Sequence, residues 1–337
     1  MVRPYVTLND KFIPVQGLVA CLLELAQQRQ LNQHKLLRGT GIFDEDLLRP
    51  DFYLSLSQLL RLLKQFNNLM PGQDAAFQLG HRLFPASSAE ASALLHSRNL
   101  TQALRLLRCF RLQLAPLLFA HHYKYNDYSY LQLNDAVGLD EQQYQFVVEL
   151  YCCLLVSASR YMLGERIPFH FEFPFQRPRH IYEYEEHLGL KLTFGRPSLI
   201  VKFAQKWLTS PLLRSSQLHR KLAMQQVNRD MLKQTFIEMI SNYLHHHRQA
   251  NLQQVSEHLN MSTATLKRRL KEHNLRFSQL QDRINMQLAF HFLTVQGLSN
   301  EVVAEKLAFH DAPNFRRACK RWTGLTPTEL KALALSK

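Results

Sequence analysis

Two short stretches concentrate side chains that can meet a polyanion. In the first, Thr263, Ala264, Lys267, Arg268 and Lys271 fall outside an apolar face made by Leu266 and Leu270. In the second, Ala312, Pro313, Asn314, Arg316, Arg317, Lys320 and Arg321 lie outside a face made by Phe315, Cys319 and Trp322. Arginine or lysine can pair with guanine O6 and N7, asparagine with adenine N6 and N7, and the remaining cations with phosphates. The chemistry on offer is recognition of double-stranded DNA, with no bond made or broken. Cations on a helix also describe an ordinary solvated surface, so the weight rests on the elements around them.

Each stretch closes a helix–turn–helix pattern. Leu252, Val255 and Leu259 stand at i, i+3 and i+7, one face of a helix that Asn251 caps, with Gln254 three residues on. Asn260 follows where the turn needs a left-handed residue, and Ser262 caps the second helix. The pattern returns with Val303 and Leu307 inward, Ala308-Phe309 in the turn and Asp311 as cap. Pro313 is tolerated in the first turn, where no intrahelical N–H bond is owed. The two caps are 49 residues apart (311 − 262). Two unrelated basic hairpins would not be expected to repeat cap, core and cation order. Between them Leu280, Ile284, Leu288 and Phe292 predict a linker helix over Gln279–Leu293, about 22 Å long at 1.5 Å per residue. Such a helix suits recognition helices placed in major-groove segments about 34 Å apart. A further helix is expected over Leu232–His245, with Phe236, Ile240 and Tyr243 or Leu244 inward.

The bulk properties agree with a polyanion partner. The 337 residues carry a net charge of +14. From Pro211 onward there are 19 Lys/Arg against 9 Asp/Glu, so the basicity sits mainly in the C-terminal part. A membrane surface would call for a basic run beside an apolar anchor, which is absent, and no membrane partner is expected. No targeting segment or membrane span is apparent: Gly17–Leu23 ends at Glu24, and Phe146–Leu163 is interrupted by Glu149 and Arg160. The five cysteines (Cys21, Cys109, Cys152, Cys153 and Cys319) show no C-x-x-C spacing and read as reduced thiols of a cytoplasmic protein.

Catalytic constellations are missing from the pattern. There is no Gly-rich phosphate loop, G-x-S-x-G elbow or H-E-x-x-H pair. His121-His122 and His245-His246-His247 are adjacent residues that point to different faces, without a Cys or carboxylate at ligand spacing. Cys152-Cys153 sits in an apolar helical run and reads as core. No catalytic residue, metal or cofactor is expected. An enzyme or alkyl-transfer protein delivered to DNA would need a reactive cysteine beside zinc-ligand cysteines, a set these five do not form. A non-sensing architectural DNA binder is the other alternative.

The first two hundred residues read as mixed α/β. Helices are expected over Val15–Arg29, over Leu56–Phe66 with Ser55 or Ser57 as cap, and over Glu141–Leu163. Thr101–Arg111 is amphipathic, and its Arg105, Arg108 and Arg111 are expected on a solvated face, with an anion site as the alternative. A β-hairpin is expected from Phe119–Tyr125 and Tyr128–Asn134 around Asn126-Asp127, with further strands at Phe169–Phe173 and Ser198–Phe203. Arg98, His121, Arg160 and His170 are polar residues in otherwise apolar segments, without a pattern that singles out an effector site.

Residues from about Leu232 to Leu333 resemble the DNA-binding domain of the AraC/XylS family of bacterial transcription regulators. The match covers both motifs, the Arg283…Ala289…Leu293 linker helix and the closing Trp322-Thr-Gly-Leu-Thr-Pro327. The resemblance implies base or phosphate contacts from Ala264, Lys267 and Arg268, and from Ala312, Pro313, Asn314, Arg316 and Arg317. Asn260 and Ala308 depart from the family by standing where these turns usually carry Gly, and Ala264 is too small for hydrogen-bonded readout. More loosely, Val15–Leu213 resembles the arabinose-binding-type effector domain, through Phe77-Gln-Leu-Gly80, Leu100-Thr-Gln-Ala-Leu104 and the Tyr182…Gly189-Leu…Leu192-Thr-Phe194 run. The expected organisation is an α/β sensing and dimerisation domain at 15–213, a helical connector at 214–231 and an all-α tandem helix–turn–helix domain at 232–333. The resemblance implies a sequence-specific transcriptional regulator, more often an activator than a repressor. It would work as a homodimer on promoter DNA with RNA polymerase as a partner, and would respond to a small-molecule effector.

Overall fold

The computed structural model describes residues 4–49, 51–70, 72–85, 88–227 and 233–335. The chain divides into two compact units. The larger runs to Gly195 and resumes over Leu199–Phe236; the smaller starts at Ile237 and takes in Arg196–Ser198.

The larger unit is built on the helix Glu141–Leu163. Asp140 caps its start by accepting the Gln143 N–H at 2.8 Å, and Gly164 ends it in the left-handed region at φ 81°. By length and composition this helix can cross a membrane, yet its apolar residues from Phe146 to Leu163 are mostly buried inside the unit. Glu149, near the start of that run, is buried with its carboxylate accepting from the Tyr184 hydroxyl and from Gln145 Nε2 at 3.0 Å. A buried acid with two donors keeps much of what water would have supplied.

Against this helix lies the helix Ala75–Arg82, brought close by Gly80. A Cβ placed on Gly80 would fall 2.5 Å from the Leu150 carbonyl oxygen and 2.6 Å from Cys153 Cβ. The same contact carries an aromatic cluster, with Phe77 edge-on to Tyr184 at 5.1 Å and Tyr184 edge-on to Phe173 at 5.4 Å.

The sheet has five strands in the order Leu118–Tyr125, Tyr128–Asp135, Leu199–Ala204, His170–Glu172, Leu192–Thr193. All neighbours are antiparallel except the last pair. The expected hairpin is there, with Tyr125 opposite Tyr128 and Asn126 at φ 49° in the two-residue turn. Ser55 caps the helix Leu56–Leu69 in a full capping box with Gln58.

Several expectations are corrected. The helix expected from Val15 becomes regular only at Ala20, because Gln16 is extended and Gly17 sits at φ 102°. The helix Leu100–Cys109 ends before Phe110, and a new short helix begins at Arg111. Arg111 is therefore not on the solvated stripe with Arg105 and Arg108. It is buried, and its Nη1 donates to the carbonyls of Pro116 at 3.2 Å and Leu118 at 3.3 Å. Leu232 lies outside the described residues, and the helix expected from there runs over Phe236–His246, with Phe236, Ile237, Ile240 and Leu244 buried. Of 214–231, the described part carries the helix Gln217–Gln226, whose Ala223 packs with Ala93, Leu94, Phe110 and Val227 in the larger unit.

Two short pairings escaped the sequence. Lys11–Pro14 pairs with Tyr53–Ser55, and Tyr5–Val6 runs parallel to Gln234–Thr235. Among the described residues, everything from Phe236 onward is helix, turn or loop.

The close approach at Gly80 gives a stability test. Gly80→Ala should destabilise the larger unit by about 1–3 kcal/mol, since the backbone of a buried helix cannot yield as a side chain can. Urea unfolding would measure it; an unchanged midpoint would mean that the two helices separate at little cost.

Candidate nucleic-acid interface

The smaller unit starts each helix–turn–helix from a cap. Asn251 and Gln254 form a reciprocal capping box at the head of Leu252–His258, with N···O distances of 2.9 and 3.0 Å. Val255 and Leu259 are buried and Leu252 is half-buried. Ser299 caps Asn300–Lys306 by accepting the Val302 N–H at 3.3 Å, and Val303, Ala304 and Leu307 are buried.

Both first helices then end in the same device. Asn260 at φ 51° and Ala308 at φ 60° take the left-handed conformation. In each case the N–H of that residue and of the next turn back onto the helix: Asn260 to Glu257 at 3.0 Å and Met261 to Ser256 at 3.0 Å, Ala308 to Glu305 at 2.9 Å and Phe309 to Ala304 at 2.9 Å. This pair of bonds is the Schellman motif, which satisfies the orphan carbonyls of a helix end. Asparagine reaches it at modest cost; alanine has no such excuse and carries roughly 1–2 kcal/mol of strain. The turns differ in length. Met261 alone separates Asn260 from its cap Ser262, whereas Phe309 and His310 separate Ala308 from Asp311.

The second helices follow. Ser262 accepts the Thr265 N–H at 3.2 Å and opens Thr263–Glu272; Asp311 accepts the Asn314 N–H at 2.6 Å and opens Ala312–Thr323. Leu266, Leu270, Phe315 and Cys319 are buried, which turns the cations outward. Thr263, Ala264, Lys267, Arg268, Lys271, Pro313, Arg316, Arg317, Lys320 and Arg321 are exposed, and Ala312 and Asn314 are half-buried.

Three of the arginines are already engaged. Arg268 Nη1 donates to Glu272 at 2.8 Å, Arg317 Nη2 to Asn314 Oδ1 at 2.5 Å and Arg321 Nη2 to Asp282 Oδ1 at 3.0 Å. The exposed Arg268–Glu272 pair is worth about 0–1 kcal/mol and gives way readily to a phosphate or a base. Lys267 and Lys271 have no ion pair among the described residues.

The linker is longer than its spacing suggests. Phe277–Phe290 is α-helical and passes without a break into a π-type turn, His291–Val295, burying Leu280, Ile284, Leu288 and Phe292. Two adjacent linker residues, missed in the sequence, hold its two sides. Gln281 Nε2 donates to the carbonyls of Arg248 and Ala250, both at 3.5 Å, just before the first motif. Asp282 Oδ1 accepts the Trp322 indole N–H at 2.8 Å as well as Arg321 from the second. Arg248 adds a bond to the Lys306 carbonyl and lies over the Phe292 ring at 5.5 Å. An indole N–H on an inward face demands an acceptor, and that requirement was the available signal for Asp282.

The closing segment Trp322–Pro327 has a local logic. Gly324 ends the second helix at φ 74°, and Thr326 exchanges cap bonds with Glu329, its N–H donating at 2.6 Å. That backbone N–H, with the Thr326 hydroxyl, holds the Glu329 carboxyl below its ordinary range.

Elsewhere the structure shows where the remaining candidates lie. Burial pushes the Cys152 thiol far up and that of Cys153 to about 12, so neither is a ready nucleophile. Glu183, Glu186 and His187 bring three possible ligand atoms within 4.8 Å of one another, an i, i+3, i+4 set on the helix Ile181–Leu188. His187 is already used there: its Nδ1 lies 2.9 Å from His81 Nε2, and its Nε2 lies 3.4 Å from Glu183. His170 pairs with Thr193 Oγ1 at 2.8 Å.

Known proteins and protein families are similar to this chain in both of its parts. The N-terminal arabinose-binding domain of AraC transcription regulators matches residues 31–212, and a helix-turn-helix domain matches residues 255–332. The ornithine utilization regulator of Pseudomonas aeruginosa is 23% identical over 331 residues, covering 95% of this chain and 96% of that protein. The HTH-type transcriptional regulator GadX of Escherichia coli is 31% identical over 91 residues, 27% of this chain and 32% of that one. Among solved structures, the transcriptional regulator CdpR from Pseudomonas aeruginosa covers 93% of this chain and 97% of its own, at 16% identity and a TM-score of 0.43.

The strained turn can be relieved. Ala308→Gly should stabilise the smaller unit by up to about 1 kcal/mol, the relief of the left-handed strain less the added freedom of glycine in the unfolded chain. Denaturation followed by circular dichroism would read it, and a loss of stability would contradict the strain.

Proposed function

Because this chain belongs to the AraC family of transcription regulators, with the family's arabinose-binding-type N-terminal domain, we propose that it binds promoter DNA through both second helices and answers to a small-molecule effector. Its relatives are transcriptional regulators with a helix–turn–helix domain, and the chain is a regulator rather than an enzyme.

The observation that carries the finer reading is the repeated motif. Two capped helices, Thr263–Glu272 and Ala312–Thr323, each follow a Schellman turn, bury one apolar face and present exposed cations on the other. Thr263 and Ala264 stand at the start of the first, where a helix laid in the major groove meets base edges, and Arg268 lies one turn beyond Ala264. Lys267 and Lys271 flank them as phosphate contacts. In the second, Ala312, Pro313 and Asn314 form the first turn, Arg317 reaches for a base, and Arg316, Lys320 and Arg321 meet the backbone. Ala264 offers a methyl to thymine and no hydrogen bond. The linker from Phe277 to Val295 is about 28 Å long at 1.5 Å per residue, of the order of one turn of B-DNA.

The rest of the reading follows from the family. Residues 15–213 sense and dimerise, 214–231 connect, and 232–333 bind DNA. The protein acts in the cytoplasm as a homodimer, more as an activator than a repressor, by presenting its two DNA-binding domains to adjacent half-sites beside RNA polymerase.

Genome-wide mapping of bound sites, followed by binding assays on the recovered sequence, tests this directly. Arg268→Ala or Arg317→Ala should weaken binding to that sequence by about 1–3 kcal/mol and relax the preference at one base pair. An even loss across all sequences would reassign the residue to phosphate. Affinity should also fall with salt, log K dropping by about 0.9 per decade of salt for every phosphate neutralised. A flat salt response, or equal affinity for all sequences, would count against the reading.

A further inference from the structure

The surface of the larger unit has an open recess of about 570 Å³, a volume within the range of small-molecule sites. It opens beside the start of the helix Leu100–Cys109, the strand Leu118–Tyr125 and the short helix Lys206–Thr209. Its lining includes three cations, Arg98, Arg105 and Lys124, together with Gln102 and Thr209, and no carboxylate. No side chain of these three cations has an ion pair or hydrogen bond among the described residues. Three like charges with no carboxylate among them leave the recess with a positive potential that an anion would meet.

The recess wall is also stitched to a later stretch of the same unit. Thr101 Oγ1 donates to the Leu208 carbonyl at 2.9 Å, and the Leu212 N–H donates to the Arg98 carbonyl at 3.2 Å. Asn99 bridges Pro211 in antiparallel fashion. The Ser216 N–H donates to the His96 carbonyl at 3.2 Å, and His96 Nδ1 lies 2.7 Å from the Arg214 carbonyl. Ser216 is the cap of the helix Gln217–Gln226. Residues 96–101, which carry Arg98, are thus zipped to 208–216.

We propose that this recess binds a small organic molecule with at least two negative charges, a di- or tricarboxylate or a phosphate ester, and that its occupancy positions the 208–216 strap. Two guanidinium groups supply paired donors that match either oxyanion, and Lys124 supplies a point charge from the facing strand. The free first-turn N–H groups of Leu100–Cys109 add a positive dipole end, although Asn99 Oδ1 already takes the Gln102 N–H at 3.1 Å. The regulatory half of this inference rests on the effector-responsive reading given above; the binding half does not.

Titration calorimetry on the full chain separates the two halves. The probes are citrate and inorganic pyrophosphate, with the dication putrescine as control. Citrate or pyrophosphate should bind at one site per chain, and whichever does so identifies carboxylate or phosphate as the source. Arg98→Gln combined with Arg105→Gln should weaken that binding by at least about tenfold, as expected for lost hydrogen bonds to a charged group. Lys124→Gln should weaken it less. All three side chains are exposed, so melting temperatures should stay at the parental value. Lys267→Gln with Arg268→Gln should leave the binding intact. The reverse pattern, loss only in that second pair, would place the anion on the DNA-facing helices and overturn the site, as would no binding of either anion or equal binding of putrescine. DNA affinity is then measured with and without the bound anion. A change supports both halves; a bound anion that leaves DNA affinity unaltered keeps the site and overturns its role as effector.

Discussion

In each motif one helix is turned into the next through a residue that accepts a positive φ, while the freed carbonyls find donors. Asn260 and Ala308 meet that constraint, and everything the DNA-facing surface does depends on it. The bonds from Met261 to Ser256 and from Phe309 to Ala304 fix where the next cap falls. The caps fix the start of the second helices, and the buried leucines and Phe315 fix which side chains are left outside. Charge enters last, on a frame already set by backbone geometry. In the second motif the turn residue Phe309 also packs its ring on Phe315 and Trp322, at 5.7 and 5.8 Å, which helps hold Ala308 in its strained state.

The two motifs become one surface through the linker. Gln281 and Asp282 are neighbours in sequence, and one bonds to the stretch before the first motif while the other takes the end of the second. Asp282 has a second consequence. Its Oδ1 also takes Arg321 at 3.0 Å, so that this exposed cation of the second helix is tied to the linker.

Much of this was legible in advance because local rules govern it. The caps Asn251, Ser262 and Asp311, the left-handed Asn260, the β-turn at Asn126-Asp127 and the helix Glu141–Leu163 each depend on a few adjacent residues. What stayed hidden was non-local or very short. The pairing of Tyr5–Val6 with Gln234–Thr235 joins two-residue segments that no periodicity can announce. Arg111 looked like the third member of a solvated stripe, and only the break at Phe110 turns it inward to three carbonyls. The acceptor of Trp322 lies forty positions away, at Asp282. The recess beside Arg98 collects residues from three separated elements, so its cations never appear as a cluster in the sequence.

The unequal turns have a consequence for the DNA itself. One motif opens with Ser262, Thr263 and Ala264 after a single intervening residue; the other opens with Asp311, Ala312 and Pro313 after two. Pro313 brings no N–H to its turn, while Thr263 brings both an N–H and a hydroxyl. The two helices therefore present different surfaces, and under the function proposed above a site engaged by one chain is not a repeat of one word but two different words in fixed order. Such a site has a direction along the duplex. Turned end for end, a site read in that way would no longer fit the same chain.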